Sequence, residues 1–227
     1  MAKTYVLSLG GSLVVTKEGI AVKFLRQFRN FIIKQVKKGD KFYIVVGGGL
    51  TARTYVKAAL ETTRITTAGR DWVGISATRL NAQLVKAIFG PLACEETVIN
   101  PLKKIKTAKK IVIAAGYKPG WSTDYVSVLI AKHNNSRTVI NLSNIDYAYD
   151  RDPKKFPQAK KLVNVSWPEF RKVVGNIWKP GSNLPFDPVA SREAAKNKMK
   201  VLIVNGRNLK NLENCLSGQK FQGTTIA

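Results

Sequence analysis

Histidine, cysteine and carboxylate residues are all scarce in this chain, and each shortage closes a class of function. His133 is the only histidine in 227 residues, so a multi-histidine metal site is excluded. It falls in His133-Asn134-Asn135-Ser136, a turn-like stretch, which argues against serine-triad chemistry. Cys94 and Cys215 are the only cysteines. Two thiols so far apart make no disulfide framework and fit a reducing, cytoplasmic compartment. No apolar run approaches the ~20 residues that span a bilayer, so no membrane partner is expected. Met1-Ala2-Lys3-Thr4 leads directly into a strand-like run without a signal-peptide cleavage pattern. Three motifs are also missing: the G-x-x-x-x-G-K-[ST] phosphate loop, the G-x-G-x-x-G dinucleotide fingerprint and the G-x-S-x-G nucleophile elbow. Asp plus Glu number 14 against 38 Lys plus Arg, a net charge of +24, which directs attention to anionic partners.

What is present is a regular alternation. Tyr5–Leu9, Phe42–Val46, Ile111–Ala115, Thr138–Leu142 and Lys200–Val204 read as strands. Between them lie stretches of helical period. Phe24, Leu25, Phe28, Phe31, Ile32 and Val36 recur at three and four. Asp71–Ile88 and Thr123–Lys132 read as helices, as does the segment from Gly49 to about Leu60. Ser122, Ser166 and Asp187 have the sequence context of N-caps, the last followed by Pro188 at the first helical position. Strand and helix alternating in this way predict an α/β fold: a three-layer αβα sandwich with a mostly parallel central sheet. No linker interrupts the pattern, so residues 1–227 read as one domain.

Three loops that follow predicted strands carry residues suited to anions. Gly10-Gly11-Ser12 combines exposed backbone N–H groups with a hydroxyl. Gly47-Gly48-Gly49 leads into a helix start, with Arg53 one turn further on. Gly116-Tyr117-Lys118-Pro119-Gly120-Trp121-Ser122-Thr123-Asp124 brings two hydroxyls and a carboxylate to another helix start. Taken singly, each is also explained by an ordinary turn or cap. If the sheet is parallel, all three share one rim, beyond the carboxyl ends of the strands, where ligands bind in open α/β folds. A fourth loop, from Asn144 to Pro153, is acidic and aromatic: Tyr147 and Tyr149 are suited to stack on a base and Asp152 to accept from a ribose or help hold a metal. Phosphoryl transfer suits this inventory, since it depends on positioning and positive charge more than on a side-chain nucleophile.

These clusters, in this order, resemble the amino-acid-kinase superfamily and, within it, the archaeal-type uridylate (UMP) kinases. Further matching segments are Gly74-Ile75, Thr78-Arg79-Leu80-Asn81-Ala82, Asn144-Ile145-Asp146, Phe186-Asp187-Pro188-Val189-Ala190 and Gly223-Thr224-Thr225-Ile226. The resemblance spans essentially the whole chain. It implies transfer of the ATP γ-phosphoryl group to UMP with Mg²⁺, and a homo-oligomer, commonly a hexamer. It divides the domain into an acceptor-binding part, about 1–135, and an ATP-binding part, about 136–227. It assigns Gly11, Ser12, Gly49, Arg53, Ser143, Asn144, Tyr149 and Asp152 to ATP. It assigns Gly48, Asp71, Tyr117, Lys118, Pro119, Gly120, Trp121, Ser122 and Thr123 to UMP. Arg53 and Asp124 are the candidate catalytic side chains, and no side chain is assigned to a metal. The alternatives are another small-molecule kinase of the same superfamily, or a non-catalytic nucleotide- or nucleic-acid-binding protein on this fold.

Three positions depart from the family pattern. Ser8 stands where many relatives carry a lysine suited to the transferring phosphoryl group, leaving Arg53, Lys179 and Arg192 as candidate cations. Tyr147 replaces a usual glycine; if that backbone needs φ > 0, tyrosine costs about 1 kcal/mol or more there. Ala115 replaces a glycine before the acceptor turn. Few of the basic residues are needed for two nucleotides. The remaining charge admits a nucleic acid as a second partner, or a solvated basic face that includes Lys103, Lys104, Lys106, Lys109 and Lys110.

Overall fold

In the computed structural model, which describes residues 2–177 and 184–227, the strand-length apolar runs become the core of one sheet. The first half of the chain forms β1 (Thr4–Leu9), the one-turn helix α1 (Gly11–Val14), a small hairpin of β2 (Val15–Thr16) and β3 (Gly19–Ile20), α2 (Val22–Lys37), β4 (Lys41–Val46), α3 (Gly49–Thr62), α4 (Thr67–Phe89) and β5 (Ile111–Ala114). The second half forms α5 (Thr123–His133), β6 (Thr138–Ser143), β7 (Ala148–Tyr149), β8 (Lys161–Leu162), β9 (Asn164–Val165), α6 (Trp167–Val174), α7 (Pro188–Lys196), β10 (Lys200–Asn205), α8 (Leu209–Ser217) and β11 (Thr224–Ile226).

The sheet runs β5-β4-β1-β6-β10-β11-β9. The first five strands in that order are mutually parallel, and β11 returns antiparallel to β10. Alternate residues point to opposite faces, as the strand period requires. Leu7, Leu9, Ile44, Val46 and Ile113 face a core filled by Phe28 and Ile32 of α2, Val85 and Phe89 of α4, and Leu212 of α8. Val6, Tyr43, Val45 and Val112 face the other core, with Val126 and Ile130 of α5, Phe170 of α6 and Ala190 of α7. Helix, sheet and helix make the three layers expected from the sequence.

The caps expected at Ser122, Ser166 and Asp187 are formed. Ser122 Oγ accepts from the N–H of Tyr125 at 3.1 Å, Ser166 closes a capping box with Glu169, and Asp187 Oδ1 accepts from the N–H of Ala190 at 2.6 Å. Helix α4 begins at Thr67, ahead of the Asp71 start read from periodicity. Thr66 caps it, and its first turn is exposed and carries no apolar stripe. His133 is the last residue of α5, not part of the following turn. The short strands β2, β3, β7, β8, β9 and β11 had no counterpart in the sequence reading, because two or three residues define no period.

Candidate active site

The register of the sheet builds the site. Leu9 of β1 lies opposite Val46 on one side and Leu142 on the other. The chains leaving these residues therefore emerge side by side. Gly47 N–H donates to the Leu9 carbonyl at 2.9 Å, and Gly10 N–H to the Leu142 carbonyl at 2.9 Å. The loops 10–12, 47–49 and 143–144 thus share one rim, with the 116–123 turn beyond β5.

The two glycine loops touch backbone to backbone. A Cβ on Gly11 would lie 2.1 Å from the nitrogen of Gly49, and one on Gly49 would lie 2.3 Å from the carbonyl carbon of Gly11. Gly49 also has φ of +58°, a conformation glycine adopts readily and other residues resist. Both glycines are required by the approach itself.

Asn81 of α4, 3% exposed, pins this loop from below. Its Nδ2 donates to the carbonyls of Gly47 and Gly48, both at 3.0 Å. Three residues earlier on the same helix face, Thr78 Oγ1 accepts from the N–H of Gly116 at 2.8 Å. Arg79 adds a donation from Nη2 to the carbonyl of Tyr117 at 3.0 Å. One helix therefore sets both the triple-glycine loop and the 116–123 turn. Thr78 and Asn81 stood out in the sequence only as parts of a motif; their i,i+3 spacing is the signal that they serve one face. Asn81→Leu should leave two carbonyls without their donor. The expected destabilisation is about 2–4 kcal/mol, read as a lower urea midpoint, with a loss of turnover.

Between these loops lies a cavity of about 290 Å³. Gly48, Gly49 and Arg53 form one wall, Trp121, Ser122 and Thr123 another, and Arg70, Asp71 and Thr78 of α4 a third. The cavity thus gathers residues assigned to both nucleotides. Asp71 is 8% exposed and uses Oδ2 to accept from the N–H of Gly120 at 2.7 Å, so it also shapes the 116–123 turn. Trp121 packs edge-on against Tyr117 and Tyr125, with Lys118 Nζ 4.7 Å from its ring centroid. Pro119 sits within this turn. Arg70, absent from the sequence candidates, lines the cavity with its Nε buried and unpaired among the described residues.

The remaining candidates lie outside that cavity. Gly11 and Ser12 sit in the α1 turn on the same rim. Ser143 ends β6, Asn144 is exposed just beyond it, Tyr149 lies in β7, and Asp152 is exposed in the following loop. Arg192 is exposed on α7 and does not line the cavity. Lys179 lies outside the described residues. Tyr147 is not in the left-handed region: the positive-φ non-glycine residues described are Asn135 and Lys198. The strain expected there is absent, and Lys161 Nζ instead rests 5.2 Å from its ring centroid.

Asp124 does not line the cavity; its carboxylate sits in a buried polar knot. Ser8 Oγ donates to its Oδ1 at 3.0 Å, Asn141 Nδ2 to the same oxygen at 3.4 Å, and the N–H of Asp187 to its Oδ2 at 3.2 Å. Ser8 and Asn141 are 3% and 7% exposed. The Asp124 residue keeps some open surface, but its carboxylate is closely surrounded by protein. Burial, reinforced by the charge of Asp187, pushes its pKa up from 3.8 to about 7. Burial also raises that of Asp187. A raised carboxyl binds its proton more tightly in the folded chain, so this site weakens the fold as pH rises from about 4 to 7. Asp124→Asn keeps an acceptor for Ser8 and removes the titration. Relative to the parent, the variant should gain about 2 kcal/mol between pH 5 and pH 8; parallel urea midpoints at the two pH values would contradict this.

Among the described residues, no group of three His, Cys, Asp or Glu side chains is disposed to hold a metal ion, and no helix is long and apolar enough to cross a membrane.

Comparison with known proteins agrees with this geometry. The model of the amino acid kinase family matches residues 3–205. The uridylate kinase of Methanococcus aeolicus is 32% identical over 219 residues, covering 94% of this chain and 96% of its own. That of Pyrococcus abyssi is 32% identical over 224 residues, covering 97% and 98%. The crystal structure of uridylate kinase from Archaeoglobus fulgidus superposes with a TM-score of 0.82 at 30% identity, over 100% of both chains. With its sheet order and paired glycine loops in place, this chain belongs to the amino acid kinase family.

Proposed function

We propose that this chain is a nucleoside monophosphate kinase that transfers the γ-phosphoryl group of ATP to UMP, giving ADP and UDP. The observation that carries the reading is the cavity between the Gly48–Arg53 wall and the 121–123 turn, continuous along the rim with Gly11 and Ser12. UMP occupies the cavity, with its phosphate toward the 117–123 turn and its ribose toward Asp71. ATP lies across the glycine loops toward Ser143, Asn144, Tyr149 and Asp152. A phosphate oxygen of UMP attacks the γ-phosphorus while the bond to the bridging oxygen of ADP breaks. The acceptor oxygen is already ionised, so no strong general base is needed. Backbone N–H groups of the loops, with Arg53, offset the charge on the transferred group. Arg70 adds a second guanidinium on the UMP side.

Asp124 serves as a positioning residue in this account, holding Ser8 and Asn141 beneath the rim. The glycine loops offer amide donors, and among the described residues no cluster of three His, Cys, Asp or Glu would hold a metal. Mg²⁺ would therefore be held chiefly by the phosphates of ATP and would supply charge neutralisation, with no side chain assigned to it.

The division into acceptor and ATP halves near residue 135, a cytoplasmic location and a homo-oligomer, taken as a hexamer, belong to the same reading. Exposed apolar side chains on α3 and α4 support self-association: Tyr55 is 65%, Trp72 47% and Leu80 62% exposed. ADP release measured across UMP, CMP, dUMP and small carboxylates tests the acceptor. UMP-dependent turnover with Mg²⁺ is expected; turnover only with a carboxylate would move the chain elsewhere in its family.

A further inference from the structure

The parallel sheet has a second rim, at the opposite end from the glycine loops, and each of its five parallel strands starts there at a basic residue. Across the sheet these are Lys110 before β5, Lys41 in β4, Lys3 before β1, Arg137 before β6 and Lys200 in β10. The ladder extends into them. Phe42 N–H donates to the Lys110 carbonyl at 2.7 Å, Lys41 N–H to the Lys3 carbonyl at 2.9 Å and Lys200 N–H to the Arg137 carbonyl at 2.8 Å. At the usual strand spacing, the row spans about 19 Å.

The basic loop before β5 lies along the same rim. Lys41 Nζ donates to the Thr107 carbonyl at 3.1 Å, and Ile105 N–H to Asn134 Oδ1, just past α5, at 3.1 Å. This places exposed Lys104 and Lys106 beside the row.

Part of the charge here has a local reason. Lys37, Lys132 and Lys196 end helices, where a cation complements the dipole. The strand starts have no such reason, since lysine is disfavoured in strands. Nor are they neutralised. Glu193 pairs with Lys132, and Glu213 with Lys34 and Lys38, while Asp40 accepts the backbone N–H of Lys3. Lys3, Lys41, Lys110, Arg137, Lys198 and Lys200 have no carboxylate at ion-pair distance among the described residues. Lys198 sits just after α7 with φ of +50°, where glycine or asparagine is usual. A lysine there keeps one more charge on the rim in a conformation that disfavours it.

We propose that this rim binds the phosphate backbone of a double-stranded nucleic acid, apart from the nucleotide cavity. A row of about 19 Å covers five to six base-pair steps of roughly 3.4 Å. Among the described residues, the exposed aromatic side chains, Tyr55, Trp72 and Phe156, belong to other elements. The rim therefore contacts phosphates and does not stack on splayed bases, which favours a duplex over a single strand. It lies one strand length from the cavity, about 20 Å for β1, so both sites can be filled together.

The test is the anisotropy of labelled 20-base-pair DNA and RNA duplexes of arbitrary sequence, titrated with the full chain between about 50 and 200 mM salt. The logarithm of affinity should fall with that of salt with a slope of about −4.5, about −0.9 for each of five contacts. Combined Lys110→Gln, Arg137→Gln and Lys200→Gln should weaken binding at least tenfold and make the slope shallower by roughly 2–3, with the thermal midpoint retained. Removing the same charge as Lys57→Gln, Lys172→Gln and Lys210→Gln should change affinity much less. Tighter binding of either duplex identifies the natural source and supports the site. Three results would overturn it: no duplex binding at low salt, equal losses in both triple variants, or capture by phosphatidylserine vesicles without duplex binding.

Discussion

Gly11→Ala is expected to destabilise the fold by at least about 3 kcal/mol and to reduce kcat/KM by at least about 10². The new methyl group would stand 2.1 Å from the nitrogen of Gly49 and 2.6 Å from the carbonyl oxygen of Gly47. Both neighbours are backbone, so no rotamer change relieves the overlap. The loops after β1 and β4 must part by more than 1 Å, and Gly47 is tied to Leu9 while Asn81 holds the carbonyls of Gly47 and Gly48. The separation falls on the rim where the proposed function brings the two nucleotides' phosphates together, so stability and turnover should drop together. Gly74→Ala is the matched control for stability. Its added methyl group would meet nothing within 4 Å. It lies inside α4, where alanine is favoured by up to about 1 kcal/mol. A Gly11→Ala chain with the parent urea midpoint would refute the backbone contact between the loops.

Arg53→Ala should lower kcat/KM by about 10²–10³ with little change in stability, because the side chain is exposed at the cavity wall. The loss should fall chiefly on kcat if the guanidinium meets charge that develops during transfer, and on KM if it holds ground-state phosphate alone. Arg53→Lys should recover part of the rate, since it restores charge without the paired donors. Ser8 sharpens this expectation. Its hydroxyl is committed to Asp124 at 3.0 Å, so it brings no cation to the rim. Arg192 does not line the cavity, which leaves Arg53 and Arg70 as the guanidinium groups lining it among the described residues.

Much of this arrangement could be read from residue order. Strands β1, β4, β5, β6 and β10 are continuous apolar runs, and buried parallel strands leave that signature. Glycines at their carboxyl ends foretold a shared rim, and hydroxyl or carboxylate caps marked the starts of α5, α6 and α7. The supports of the rim were harder to see. Asn81 and Thr78 act through hydrogen bonds to backbone atoms more than thirty residues away in sequence, and nothing local announces such partners. Asp124 read as a carboxylate at the end of the 116–123 turn; its hydrogen bonds to Ser8 and Asn141, far away in sequence, were not legible there. Tyr147 looked strained only by analogy with a glycine, and its own backbone needs no positive φ. The excess charge had no position until the parallel sheet brought Lys110, Lys41, Lys3, Arg137 and Lys200 to one rim.

The central claim is that a phosphoryl group passes directly from ATP to a UMP held between the Gly48–Arg53 wall and the 117–123 turn. It is tested most directly by incubating the full chain with UMP, Mg²⁺ and ATP labelled in the γ-phosphate, then separating the nucleotides. The account predicts the label in UDP, in equal amount to the ADP formed, and a transfer slowed by about 10²–10³ in Arg53→Ala. Label released only as inorganic phosphate, or left in ATP while UMP is unchanged, would contradict it.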